Sequence, residues 1–206
     1  MLLGLILVAS CRCEHPKDAY MNAGYGAKPH VVRQVPTFGI IITSAKSDMA
    51  AVQKYCVGEI CSVGLALSEE APKDPPFTFY PAKDFYVVDG DWVNMFAIDT
   101  GKLEKNKERQ AWLTKELAVD KPKWKIAYGV GEVKGWLAPF LNPMFAAHHV
   151  GFFFSASASE LVEKDGTNYL GVGDRFVHLL LNTEEATISI VDKSGKVILS
   201  RVYKRS

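Results

Sequence analysis

The sequence predicts an α/β fold: two β-sheets packed face to face, helices on the outside, and an antiparallel meander at the C-terminal end. Three observations carry this. Short β-branched or aromatic runs alternate with segments of helical period through the first two thirds of the chain. Near residue 40 a strand, a helix and a second strand follow one another at the spacing of a parallel crossover. After residue 175 the helical segments stop, and three strand-like runs follow, divided by turn residues.

In order, Phe38–Thr43 is a buried strand, and Asp48 is placed to N-cap a helix over Met49–Cys56 with Gly58 past its end. Val63–Leu67 is the second strand of the unit. Ala71–Pro76 is too rich in proline for strand or helix. Phe85–Val88 and Trp92–Ile98 flank Asp89-Gly90-Asp91, a hairpin signal. Lys105–Ala118 has helical period, with Trp112, Leu113 and Leu117 on one face. Trp124–Tyr128 reads as a strand, Trp136–Ala147 as a helix despite Pro139 and Pro143, and Val150–Phe154 and Asn168–Val172 as strands. Phe176–Leu181, Thr187–Val191 and Val197–Tyr203 form the meander, turning at Asn182–Glu184 and Asp192–Gly195.

The 206 residues are 48% hydrophobic, enough for one well-filled domain, and the net charge is +1. That balance holds no basic excess to favour nucleic acid and no acidic excess to favour disorder. The start differs from the rest. Met1–Ser10 is apolar but too short to span a bilayer, so no transmembrane helix is expected. It reads as the core of a secretory signal peptide over 1–13, without a charged start. Val8-Ala9-Ser10-Cys11 also fits a lipobox, so a lipid anchor at Cys11 is the alternative to free secretion. Residues 14–36 read as an irregular extension. The pair Cys56 and Cys61 can bridge across the turn at Gly58 in an oxidising compartment. The alternative is two buried thiols.

Particular segments resemble one family. Phe96-Ala97-Ile98-Asp99-Thr100 looks like a strand closing in L-D-T. Glu108–Leu113 resembles a Q-x-x-W-L helix, and Lys121–Ile126 a K-x-K-W-K-I strand entry. Asp192–Ile198 is similar to a D-x-x-G-K-V-L close, and Tyr55–Leu67 to a second strand with its preceding helix. In that order they resemble the calcineurin-like metallophosphoesterases, of the tartrate-resistant purple acid phosphatase type, over residues 37–206. The resemblance implies a metallophosphoesterase-like two-sheet β-sandwich flanked by helices. It also implies a secreted hydrolase that holds two metal ions with Asp, Asn and His ligands at the C-terminal ends of its strands.

Those ligands are missing. The first strand ends in Thr43 where the family has aspartate. The second reads Ser68-Glu69-Glu70 for G-D-N, and the G-N-H motif has no counterpart, as though a segment near 70–77 were deleted. Gly129-Val130-Gly131-Glu132 stands for G-H-H-P, and Ser155–Ser159 for the G-H-D-H stretch, with Ser157 and Ser159 at ligand positions. Valine has no lone pair, and a neutral serine replaces imidazole poorly. The expectation is therefore a pseudoenzyme: no dinuclear centre, no cofactor, and a binding or scaffold role with a protein partner, as some members of the superfamily have. The competing expectation is a phosphatase with a single-metal site rebuilt from Glu69, Glu70 and His148 or His149. Glu132 and Glu160 fall at the rim of the old site, Asp99 stays as scaffold, and His178 lies in an edge-like strand. Gly171 and Gly173 make no phosphate loop. Loss of the 70–77 segment is also expected to expose an edge strand open to pairing.

Overall fold

The computed structural model describes residues 37–119, 123–158 and 160–205. The expected leader over 1–13, the expected extension over 14–36, Cys11 and Ser159 lie outside the described residues. Among the described residues, twelve strands form two six-stranded sheets. The first contains β1 (Phe38–Ser44), β2 (Val63–Leu67), β3 (Phe79–Pro81), β10 (Phe176–Leu181), β11 (Glu185–Val191) and β12 (Val197–Lys204), in the order β12-β11-β10-β1-β2-β3. The second contains β4 (Tyr86–Asp89), β5 (Val93–Ala97), β6 (Trp124–Gly129), β7 (Val150–Ser155), β8 (Val162–Lys164) and β9 (Thr167–Gly171), in the order β4-β5-β6-β7-β9-β8.

The β1–α1–β2 unit is parallel, with Ile40 beside Val63 and Ser44 beside Leu67. Helix α1 (Met49–Cys56) starts where expected, because the Asp48 carboxylate accepts from the Ala50 and Ala51 amides at 2.9 and 3.4 Å. Ala51 and Val52 then pack on Ile41, Ala66 and Phe176, covering the outer face of the first sheet. Strands β5, β6, β7 and β9 run parallel in the second sheet. Its outer face is covered by α3 (Lys107–Leu117) and α4 (Leu137–Ala147), which bring Leu113, Leu117, Leu141 and Phe145 onto Phe96, Ala127 and Phe153.

Between the sheets lies the main core. Ile40, Ile42, Leu65 and Leu67 meet Met95, Ile126, Phe152 and Phe154. This follows from alternation: each central strand is apolar on both faces, so one face meets the other sheet and one meets a helix. The result is a helix–sheet–sheet–helix sandwich, and residues 176–204 form the C-terminal meander β10–β11–β12.

Several boundaries differ from the sequence reading. The hairpin strands start at Tyr86 and Val93, with Asp89 opposite Asn94. The span 105–118 begins later, at an Asn106 cap whose side chain accepts from the Arg109 amide at 3.0 Å. A separate short helix α2 (Thr100–Leu103), capped by Asp99, precedes it. Strands β3 and β8 have three residues each, too few to leave a periodic signal. Helix α4 accommodates both prolines: Pro139 sits in its first turn, and Pro143 forgoes one bond to the Pro139 carbonyl.

Cys56 and Cys61 form a disulfide that closes the loop between α1 and β2, with Cα atoms 5.8 Å apart. The loop lies hard against β1. A Cβ on Gly39 would sit 1.7 Å from the Ile60 carbonyl oxygen, so only glycine permits the approach. The edge strand that follows residues 70–77 is β3. It is short and is tied to β4 by the Tyr86 hydroxyl, which donates to the Pro81 carbonyl.

Candidate functional site

The parallel strands of both sheets end on one side of the molecule. After β1, the Ser44 hydroxyl donates to the carbonyl of Gly173, just beyond β9. Beyond β2, Glu69 lies close enough to the α2 side chain of Lys102 to raise its pKa, an effect led by Asp99, which accepts from Lys102 at 2.7 Å. This crest of strand ends is where open α/β sheets place ligands, and it is where the sequence places the degenerate ligand positions.

Among the described residues, the side chains at those positions form no ligand set there. Thr43 shares the face of Ile41, turned toward the helix side of the first sheet, and its hydroxyl is buried without a hydrogen-bond partner. The residue at the end of β1 on the inter-sheet side is Ser44. Its Oγ also accepts from the Lys46 amide at 3.0 Å, and the Ser47 hydroxyl donates to the Arg175 carbonyl. Glu69 and Glu70 are solvent-exposed, with the Ser68 hydroxyl donating back to the Glu70 carbonyl at 2.7 Å. Val130 is 43% exposed, and its carbonyl accepts from the Ala156 amide at 3.2 Å. Ser157 Oγ lies 2.8 Å from Ser155 Oγ.

Backbone spacing closes the same place to larger groups. The Gly131 amide donates to Thr100 Oγ1 at 3.0 Å, and a Cβ at Gly131 would lie 2.6 Å from that oxygen. A side chain at this position would have to turn the Thr100 hydroxyl aside and break that hydrogen bond. Among the described residues, no three His, Cys, Asp or Glu side chains are grouped so as to hold a metal ion. Two metal ions carry about four positive charges, which need several carboxylates to offset them. A buried threonine hydroxyl on the wrong face, a valine and a paired serine do not fit such a centre.

The histidines lie elsewhere. His148 and His149 follow α4 and precede β7, at the start of the parallel strands. His149 is six residue steps from Ser155 along β7, about 20 Å at ~3.3 Å per residue. They line a groove of about 310 Å³ with Trp124, Tyr203 and Arg205 at that opposite end. The proposed grouping of Glu69, Glu70 and a histidine of this pair is therefore not formed. His178 is not on an edge strand. β10 lies between β1 and β11, and the imidazole is buried, with Nδ1 3.0 Å from the Tyr55 hydroxyl and Nε2 2.9 Å from the Ile60 carbonyl. Burial holds its pKa below the ordinary histidine value, outweighing the Ile60 bond and nearby Glu59.

Glu132 and Glu160 share a cavity of about 230 Å³ beside the crest, between α4 and β9, with Asn142, Ser155 and Tyr169. Tyr169 donates to Asn142 Oδ1 at 2.7 Å, and burial pushes its hydroxyl up to about 12. Asp99 accepts from the Lys102 amide at 3.1 Å, which makes it a helix cap.

The sequence reading missed two features. One is the serine and glycine stitching through Ser44, Ser47 and Gly173; the signal available was a Ser-rich strand end facing a G-x-G turn. The other is a hydroxyl chain between the sheets, in which Tyr128 donates to Tyr86 at 3.1 Å. Burial, then that hydrogen bond, raises the Tyr128 pKa far above the usual phenol range.

No protein-family model matches the chain, and neither does any curated protein. Solved structures with a similar chain path include a conserved uncharacterised protein, a predicted phosphoesterase, from Streptococcus pneumoniae TIGR4. It is 12% identical with a TM-score of 0.45, covering 82% of this chain and 99% of that one. Vps29 from Entamoeba histolytica is 13% identical with a TM-score of 0.45, covering 82% and 100%. Vacuolar Protein Sorting 29 from Cryptosporidium parvum is 9% identical with a TM-score of 0.45, covering 82% and 98%.

Proposed function

We propose that this chain is a non-catalytic binding or scaffold protein, built on a metallophosphoesterase-like sandwich of purple acid phosphatase type whose dinuclear site has been lost. One observation supports this reading above the rest. The polar groups at the strand ends are spent on holding the loops to one another: Ser44 to Gly173, Ser47 to Arg175, Thr100 to Gly131, Ser155 to Ser157. A dinuclear metal centre needs carboxylate and imidazole donors at these strand ends, and the groups found there are neutral hydroxyls bonded to one another and to backbone. Here they make a closed, small-residue crest. That surface suits contact with a protein partner better than activation of a water molecule. The alternative, a phosphatase with a site rebuilt from Glu69, Glu70 and His148 or His149, is less favoured, because those carboxylates follow β2 whereas the histidines precede β7.

Secretion is part of the same proposal, either free after cleavage near Cys13 or anchored through a lipidated Cys11. The Cys56–Cys61 disulfide supports an oxidising compartment. Mass spectrometry of the mature N-terminus separates the two forms.

The test of function is elemental analysis of the purified protein beside p-nitrophenyl phosphate turnover with added iron, zinc and manganese. Less than stoichiometric metal and turnover no faster than buffer are expected. Stoichiometric metal, with turnover abolished by Glu69→Gln or His149→Ala, would overturn the proposal.

A further inference from the structure

Four strands form the edges of the two sheets: β3, β4, β8 and β12. Edge strands present unpaired amides and carbonyls, and proteins commonly keep them very short to prevent pairing with other chains. Three of these edges obey that rule, with 3, 4 and 3 residues. The fourth, β12, has 8. Among the described residues it pairs with β11 alone. A bulge interrupts only its beginning, and from Leu199 to Lys204 the register against β11 is unbroken. Val202 is 60% exposed on this strand, and Val197 and Ile198 are exposed as well.

We propose that β12 pairs antiparallel with β12 of a second copy, about a two-fold axis at Val202, joining the two first sheets into one. The register follows from parity and charge. Residues opposite each other across an antiparallel pair point to the same face, so the axis falls on a residue. Centring on Leu199 would draw the bulged start of the strand into the pair and centring on Tyr203 would set Arg201 against Arg205, which leaves residues 200, 201 and 202. Centring on Ser200 sets Lys196 against Lys204. Centring on Arg201 sets that residue against itself. Centring on Val202 sets valine on valine, Arg201 against Tyr203, and Ser200 against Lys204, with no like charges opposed.

The remaining cations have acids nearby in their own chain. Lys204 lies opposite Glu185 on β11, and Arg201 shares a cavity of about 280 Å³ with Glu160. The choice of occupant thus rests on self-complementarity: this register leaves an exposed valine covered and no cation facing another.

The experiment is sedimentation equilibrium of the purified chain over a wide concentration range, with two variants. A monomer–dimer equilibrium is expected. Val202→Lys, at a position already exposed, should leave folding intact and raise the dissociation constant at least about tenfold, since it opposes two lysines at the axis. Val202→Cys should give an interchain disulfide under mild oxidation, because directly opposed Cβ atoms lie within about 5.5 Å. Ser200→Cys, opposite Lys204, should not exceed the wild-type background. A chain monomeric at every concentration, a dimer indifferent to Val202→Lys, or cross-linking through residue 200 in place of 202 would each overturn the proposal.

Discussion

Replacing Cys56 and Cys61 together with alanine removes the one cross-link among the described residues and tests how the α1–β2 loop is held. The bridge spans a sequence separation of 5. In the chain-entropy account, closing so short a loop stabilises by about 2 kcal/mol at 25 °C. The folded loop keeps its other tethers, since the Ile60 carbonyl still meets His178 and the Ser62 amide still donates to the Gly39 carbonyl at 2.8 Å. The loss should therefore stay near that figure and not grow into local unfolding. Equilibrium urea unfolding should show an unchanged slope and a lower midpoint, and melting should fall by about 4–8 °C for a domain of this size. Adding a reductant to the wild type should reproduce the shift. A loss beyond about 4 kcal/mol would refute the reasoning, since it would mean that the bridge alone holds the loop. No change in either experiment would refute it as well, by removing the bridge.

Three further outcomes follow. His178 is buried neutral, with its pKa held below the ordinary value of about 6.5. The unfolded chain therefore binds a proton that the folded one refuses. Urea midpoints should fall as the pH drops through about 6.5 and level off below the folded pKa, and His178→Gln should flatten that dependence. Phe145→Ala, at a fully buried position between α4 and the second sheet, should cost about 3–5 kcal/mol by calorimetry. Gly39→Ala should cost at least about 1–3 kcal/mol, because its Cβ would overlap the Ile60 carbonyl. Amide exchange at Ile60–Ser62 should accelerate in that variant.

The sandwich was legible because each central strand carries β-branched or aromatic residues on both faces. That pattern belongs to strands buried between layers, and Phe152–Phe154 and Ile40–Ile42 show it plainly. The helix cap at Asp48 and the turn at Asp192–Gly195, both written in the sequence, are observed, and Asp192 accepts from the Ser194 and Lys196 amides. What escaped is what has no period. A three-residue edge strand such as β8 is fixed by its neighbour β9, not by its own composition. The direction of one side chain at a strand end also escaped. A one-residue step turned Thr43 to the helix side and left Ser44 at the crest, because strand side chains alternate. The distance between His149 and Glu69 depends on which ends of two parallel strands they occupy, and local sequence does not encode it. The hydroxyl chain from Tyr128 through Tyr86 to Pro81 joins three strands and shows only when they are packed.

The two sheets are threaded differently. The second is drawn from one continuous stretch, residues 86–171, while the first takes strands from both flanks, residues 38–81 and 176–204. Strand β1 therefore waits for β10, its antiparallel neighbour, whose residues lie more than a hundred positions away. During synthesis the second sheet can close on its own helices while β1 still lacks its partner on one side, and pairing across so long a separation is slow. The last thirty or so residues thus act as the closing staple of the molecule. Pulse-labelled exchange should protect the amides of β6 and β7 before those of β1. A chain truncated before Phe176 should keep a folded second sheet and lose the first.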